Sequence, residues 1–554
     1  MSYDDFMDYL WFGRPEDYVR LDFPAPRRRD DCIIICREDL ASLAEKAFSE
    51  IAFRLPRAQA EKIAVIARDA AATPTERFIA TSLLQNAAVA AEGIFPLCQD
   101  TGSALVYGWR GERVETNGSL GKPGGDAAGD SIGRDAPAEN GDRHSLAAGI
   151  GRAYAVNRLR ASQLRPLDVL AEKNTNNNLP AGIDIRTVPG RAYHLLFCAK
   201  GGGSTGKTSL TMESPSLLEP TRLKKLLSSR ISALGASGCP PYTISAVMGG
   251  TSPSQTLYAL ELATCGLLDR LPADGEGAAI RSVEWENTML DLAKGCGVGL
   301  QWGGSHLALD ARFVRLSRHV ANLPVALGVS CAAHRKALAF VDERGWFLER
   351  LEDDPARLLS PDEAILPGAV PVDFDDPQDE WLEKLRSLSA GATLLLSGTV
   401  TLARDAAHAR LLSLIERGEP LPSSVLGHPI FYAGPTEAKD GQATGSIGPT
   451  TAKRMDFYME PFLSRGAGLV TIGKGERGTN AAEAISRFRG VYLAVIGGTA
   501  ALNARKHVAA SVIEDYADLG MEAIRHVRLV GLPAIVAIDA RGASIYCGQG
   551  HAKP

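Results

Sequence analysis

The sequence predicts a mixed α/β chain built as two units, a larger N-terminal one and a smaller C-terminal one. Three observations point there. The chain has 554 residues, more than one hydrophobic core usually serves. Short apolar runs ending in glycine alternate with stretches of helical period. An acidic, proline-rich segment, EDDPARLLSPDEAILPGAVPVDFDDP, divides the two parts. We therefore expect an N-terminal α/β domain over 1–350, a linker over 351–377 and a C-terminal α/β domain over 378–554.

Each element follows from its local pattern. LASLAEKAFSEIAFRL and TERFIATSLLQNAAVAAEG repeat apolar residues at helical spacing. Residues 111–145 are rich in Gly, Asp and Pro without apolar periodicity, and are expected to form a mobile surface insertion. AYHLLFCAK (192–200) and TISAVMGG (243–250) read as strands, SQTLYALELATCGLLDRL (254–271) and ENTMLDLAKGC as helices, and LALDARFVRL as a strand. Beyond the linker, ATLLLSGTVTLARDAAHARLLSLIERG reads as strand, turn and helix. GAGLVTIGKG and YLAVIGGTAAL are short strands, and LPAIVAIDARGASIY is expected to form a hairpin.

Composition narrows the function. The chain is 45% hydrophobic and 23% charged with a net charge of −5, which lacks the basic excess that nucleic acid or an anionic membrane surface would require. No apolar run reaches the roughly 20 residues of a membrane span. Asp4, Asp5 and Asp8 stand where a secretory signal carries basic residues. The nine cysteines are an odd number and scattered, which argues for a reducing compartment. A cytoplasmic location is expected.

The cysteines fall into two kinds. Cys198 lies in a strand-like run, Cys265 on an apolar helix face and Cys296 at a helix end, and all read as small buried hydrophobes. Cys32 and Cys36 flank three isoleucines in a strand; four residues of strand hold them about 13 Å apart, too far to share a metal. Cys547 lies near the terminus without a partner. Cys98, Cys239 and Cys331 stand instead where apolar segments break into loops beside glycine, proline or small residues. The absence of any C-x-x-C counts against zinc ribbons and against the closely spaced ligation of ferredoxins. Three lone cysteines suit a cluster that leaves one iron open to substrate, where it acts as a Lewis acid. Three unrelated loop cysteines would leave the same pattern.

The surrounding strings carry more. PLCQDTG (96–102), EKNTNNNLPAGID (172–184), AKGGGS (199–204), CPPYTISAVMGGTS (239–252), LSRHVANLPVALGVSCAAHRK (316–336), ARDAAHA (403–409), HPIFYAGP (428–435) and GSIGPTTAKRMD (445–456) follow one another in order. Together they resemble the class I, iron–sulfur fumarate hydratases in their single-chain form, from about residue 30 to the C-terminus. The resemblance implies a [4Fe–4S] cluster on Cys98, Cys239 and Cys331, reversible addition of water to fumarate giving (S)-malate, and a homodimer. Dehydration of tartrate, or reaction of mesaconate, is the alternative within the same family. It assigns substrate binding to Gln99, Arg160, Gly203, Arg404, Arg454 and Lys474, and places Asp100, His319 and Thr450 around the reacting carbons. These residue types suit the chemistry, since a dianion calls for cationic clamps and proton transfer beside a carboxylate calls for an acid and a base. A free threonine hydroxyl is a very weak base, so Thr450 needs an activating neighbour.

GGGSTGKT (201–208) also satisfies the phosphate-loop pattern of nucleotide-binding proteins. Such a loop opens directly into a helix, whereas Pro215 and Pro220 leave little room for one. Residues 201–203 are expected instead to let the backbone approach substrate or cluster.

Overall fold

The computed structural model describes residues 6–117, 141–275, 277–360 and 365–546. The architecture is mixed α/β, as the sequence predicts. A six-stranded sheet runs in the order Tyr18–Arg20, Gly345–Glu349, Arg335–Asp342, Tyr193–Lys200, Ser103–Gly111, Gly182–Val188. A five-stranded sheet runs Ser209–Glu213, Leu323–Ser330, Tyr242–Gly250, Ala308–Arg318, Ala279–Arg281. The C-terminal part forms a seven-stranded sheet centred on Thr393–Leu402, Val470–Gly473, Val491–Val495 and the 15-residue strand Ile524–Ile538.

Three helices lead the chain in, Arg37–Phe53, Arg57–Arg68 and Pro74–Ala91. The last begins cleanly because Thr73 and Glu76 form a reciprocal capping box with Pro74 in the first turn. Arg37–Phe53 buries Leu40, Leu43, Ala47 and Ile51 against the first sheet. Pro74–Ala91 instead crosses to the C-terminal part: the Asn86 side chain accepts from the Ala501 and Leu502 N–H groups at 2.8 and 3.0 Å, and donates to the Leu97 carbonyl at 3.0 Å. One apolar cluster runs from this helix through the five-stranded sheet into the seven-stranded one.

Several local expectations shift. Within 111–145, strand Val114–Asn117 pairs in parallel with Cys32–Cys36, and helix Asp142–Val156 starts before the segment ends; the interior, 118–140, lies outside the described residues. Strand Val370–Asp373, inside the expected linker, pairs with Thr393–Leu402 and so belongs to the C-terminal sheet. Helix Pro253–Thr264 stops well short of residue 271, where Gly266 adopts the left-handed conformation. The expected C-terminal hairpin is the end of the long strand followed by a turn with one bridge, Ile538 to Ser544. In the phosphate-loop-like string only the four residues Gly202–Thr205 are helical before strand Ser209–Glu213 begins. That removes the nucleotide reading, because no helix is aimed at a phosphate.

Candidate active site

Strand register brings two of the motif cysteines together. Leu323–Ser330 and Tyr242–Gly250 pair antiparallel with Thr243 opposite Ser330. The residues just outside that pair, Cys331 and the 239–241 turn, therefore meet at one sheet end, and the Ala332 N–H donates to the Cys239 carbonyl at 3.0 Å. Cys239 itself takes a left-handed φ of +64°, an uncommon conformation outside glycine. Gly497 closes over it: a Cβ there would lie 2.4 Å from the Cys239 sulfur, so no larger residue fits. Gln301 fixes that approach by donating to the Pro240 and Gly497 carbonyls, each at 2.9 Å, and accepting from the Gly497 N–H at 2.7 Å.

Cys98 arrives from the helical side. The turn before it is held by the Asn86 bond to Leu97 and by the Leu97 N–H on the Ala52 carbonyl at 2.9 Å. Burial raises the Cys98 thiol pKa, with the nearby Cys239 adding to the rise and Arg335 opposing it. Burial also pushes Cys331 up to about 11, and both Cys239 and Cys98 contribute. The three sulfurs thus share one electrostatic environment, and a metal that binds them must displace protons.

Cations surround the thiols. The Lys474 ammonium donates to the Cys239 sulfur at 2.7 Å. Burial opposes its charge, but Cys239, Cys98 and Cys331 raise its pKa. Arg160 is buried and lies 3.3 Å from Asp100. Arg335, also buried, faces Cys98, Cys331 and Asp100, and its Nε has no hydrogen-bond partner among the described residues. Arg335 lies in the CAAHRK string, yet sequence reasoning passed over it. The signal was a guanidinium four residues beyond a cysteine of the trio.

Asp100 is the anion at the centre. Its carboxylate accepts from the Gly202 N–H at 2.9 Å and the Gly102 N–H at 3.2 Å, besides pairing with Arg160. Burial alone would raise its pKa; Arg160, Arg335 and the Gly202 N–H outweigh burial and hold it at about 2. Gly203 follows in the same turn, where an added Cβ would sit 3.7 Å from the Lys474 ammonium. The Gln99 amide donates to the Pro449 carbonyl at 3.3 Å, tying the Cys98 turn to the loop that carries Thr450.

The C-terminal part supplies the opposite wall. Thr450 is buried; its N–H donates to the Tyr432 carbonyl at 2.7 Å, and its own carbonyl accepts from the Lys474 N–H at 3.1 Å. No side chain among the described residues hydrogen-bonds its hydroxyl. Arg404 is buried, with Nε 3.0 Å from Asp405 and a terminal nitrogen 2.8 Å from Glu522, and its charge reaches Arg160. Arg454 pairs with the same Asp405 but is half exposed, at 51%. His319 lies elsewhere. It sits in the exposed turn ahead of Leu323–Ser330, while Cys331 follows the far end of that strand, about 23 Å away at 3.3 Å per residue.

Comparison with known proteins identifies the family. Residues 41–123 and 130–339 match the family described as fumarate hydratase, and residues 345–548 match the fumarase C-terminus. The chain belongs to the class I fumarate hydratases. It is 39% identical over 515 residues to fumarate hydratase 2 of Leishmania major, covering 92% of this chain and 86% of that protein. It is also 39% identical to the aerobic class I fumarate hydratase of Escherichia coli (strain K12), covering 92% and 89%. A putative L(+)-tartrate dehydratase subunit beta of Methanocaldococcus jannaschii is 33% identical over 166 residues, 29% of this chain and 85% of that one. The enzyme is accordingly a hydro-lyase. No helix among the described residues is long and apolar enough to cross a membrane.

Proposed function

We propose that this hydro-lyase adds water reversibly to fumarate, giving (S)-malate, at a [4Fe–4S] cluster held by Cys98, Cys239 and Cys331. The observation that carries the reading is the convergence of three loop cysteines beneath buried Lys474, Arg160 and Arg335. When bound, the cluster supplies an open iron that polarises the substrate as a Lewis acid.

The chain's own residues divide the remaining work. Arg160, Arg404, Arg454 and Lys474 bind the two carboxylates of the diacid, with neutral donors from Gln99 and the Gly203 turn. Asp100 has its oxygens committed to two N–H groups and Arg160, and a pKa of about 2 makes it a poor proton acceptor. We assign it to orienting Arg160 and Arg335. The uncommitted Thr450 hydroxyl is assigned the proton at carbon, with the Lys474 backbone bond fixing its position. His319 has no reach into the site of its own chain, so any part it plays requires a second copy, in keeping with the homodimer we also propose.

Anaerobic purification with visible absorbance read beside fumarate hydration tests the whole. Colourless, iron-free protein with full activity would refute the cluster. Thr450→Ala is expected to lower kcat by 10² to 10⁴-fold, on the order of a lost general acid–base group, with KM little changed. Asp100→Asn should raise KM instead; the reverse pattern would exchange the two roles.

A further inference from the structure

Two cysteines outside the site, Cys198 and Cys265, are neighbours in the apolar interior, as their sequence surroundings imply. Cys198 lies in strand Tyr193–Lys200, opposite Lys336 on one side and Leu105 on the other. Cys265 is the residue at which helix Pro253–Thr264 ends, its N–H on the Leu262 carbonyl at 3.2 Å. Both are buried in the same apolar cluster, at 5% and 6% exposure, and both line one small space.

Their surroundings differ in a way that assigns an order. Both line a small space of about 10 Å³ together with Lys200, Glu261, His334 and Cys331. Of the two, only Cys265 also lines a cavity of about 350 Å³, whose rim residues Asp17, Arg57 and Arg350 are exposed. Anything the size of a peroxide that enters from solvent therefore meets Cys265 first and Cys198 behind it. The inner space then continues to Cys331.

We propose that Cys265 and Cys198 are a hydroperoxide-reactive pair, with Cys265 the attacking thiol and Cys198 the resolving one. In the first step the Cys265 sulfur, having lost its proton, attacks the outer peroxide oxygen; an S–O bond forms, the O–O bond breaks, and the leaving alkoxide or hydroxide takes a proton. In the second, the Cys198 sulfur attacks the resulting sulfenic acid; the S–S bond forms, the S–O bond breaks, and water leaves. The two thiols lose two electrons and two protons, and the hydroperoxide is reduced to an alcohol and water. A reactive thiol is characteristically reachable, ionised more easily than its neighbours and poised beside a resolving partner. In agreement, the adjacent Cys198 thiol lowers the pKa of Cys265, against the opposing effect of burial. The neighbouring Cys265 thiol, followed by burial, raises that of Cys198.

The test uses the whole, anaerobically purified protein treated with hydrogen peroxide, alkylated, digested without reductant and mapped by mass spectrometry. A Cys198–Cys265 linked peptide that disappears with dithiothreitol is expected. In Cys198→Ser, dimedone should trap a sulfenic acid on Cys265; in Cys265→Ser, Cys198 should stay a free thiol. Recovery of both residues as free alkylated thiols, at peroxide doses that oxidise Cys98, Cys239 or Cys331, would overturn the proposal. So would a dimedone adduct on Cys198 in Cys265→Ser. The wild-type digest decides the matter even where a variant fails to fold.

Discussion

The two walls of the candidate site are built by different means. On the N-terminal wall, backbone geometry places each group: strand register sets Cys331 beside Cys239, a left-handed turn aims Cys239, and two N–H groups hold Asp100. On the C-terminal wall, long cationic side chains are held by counter-charges, Arg404 by Asp405 and Glu522 and Arg454 by Asp405. A wall fixed by backbone keeps its shape when a side chain changes, so such a change reports on the chemistry of that group. A wall fixed by ion pairs shifts as a unit, so changes there are graded by burial.

The sharpest break of that comparison is on the first wall. Cys98→Ser, Cys239→Ser or Cys331→Ser is expected to leave a folded chain with fumarate hydration reduced by more than about 10³-fold, the loss that several kcal/mol of Lewis-acid stabilisation implies. The cluster absorbance should vanish with it. A serine variant that keeps both would remove that cysteine from the trio.

The second wall should respond in proportion to exposure. Lys474→Met or Arg404→Lys removes a buried donor and is expected to lower kcat/KM by about 10² to 10³-fold, comparable to losing one preorganised donor in a dry site. Arg454→Lys changes a half-exposed group whose charge is screened by water, and about tenfold is expected. Steady-state kinetics across a fumarate series would check the order; an Arg454 effect equal to that of Arg404 would place Arg454 as deep in the site.

How much of this was legible in the sequence follows the same division. The cysteines, Asp100 and Thr450 stand in short strings whose neighbours are glycine and proline, because backbone placement needs those residues locally. Arg335 escaped notice because its role comes from burial beside Cys98, a contact between residues far apart in the chain. His319 stands in a string as distinctive as the others, but a string fixes neighbours along a strand and not which end of the sheet faces the site. Strand Val114–Asn117 was obscured by the glycine-rich composition around it, and acquires its conformation by pairing with Cys32–Cys36.

His408 tests the second wall from behind. It is 1% exposed, stacks on Phe462 and donates its Nδ1–H to the Arg404 carbonyl, 3.2 Å away. Burial lowers its pKa from 6.5 to about 4. Above the unfolded value both states are neutral there; between about 6.5 and 4 only the unfolded chain takes up the proton, so folding stability falls as pH drops through that window. The full loss is on the order of 3 kcal/mol at 1.36 kcal/mol per pH unit. Unfolding measured from pH 7.5 to 4 should show this slope in the wild type and a shallower one in His408→Gln. Equal slopes would mean that other groups govern the acid limit.

The smallest effect returns to the first wall and to one chemical change made in two places. Cys198→Ser removes a thiol from the same part of the chain as Cys98, Cys239 and Cys331, but from a strand packed in an apolar cluster. The new hydroxyl is buried where a thiol was a weaker hydrogen-bonding group, which costs about 1 to 3 kcal/mol when the group is left unsatisfied. The midpoint of thermal unfolding should fall by a few degrees, while kcat and KM for fumarate stay within about twofold. Since Cys98→Ser and Cys198→Ser are the same substitution, the contrast between lost activity and lost stability isolates position as the variable. If Cys198→Ser abolished hydration in a protein of unchanged melting temperature, the strand leading into the 201–203 turn would have to be counted as part of the site, and the wall would extend one layer deeper than its motifs indicate.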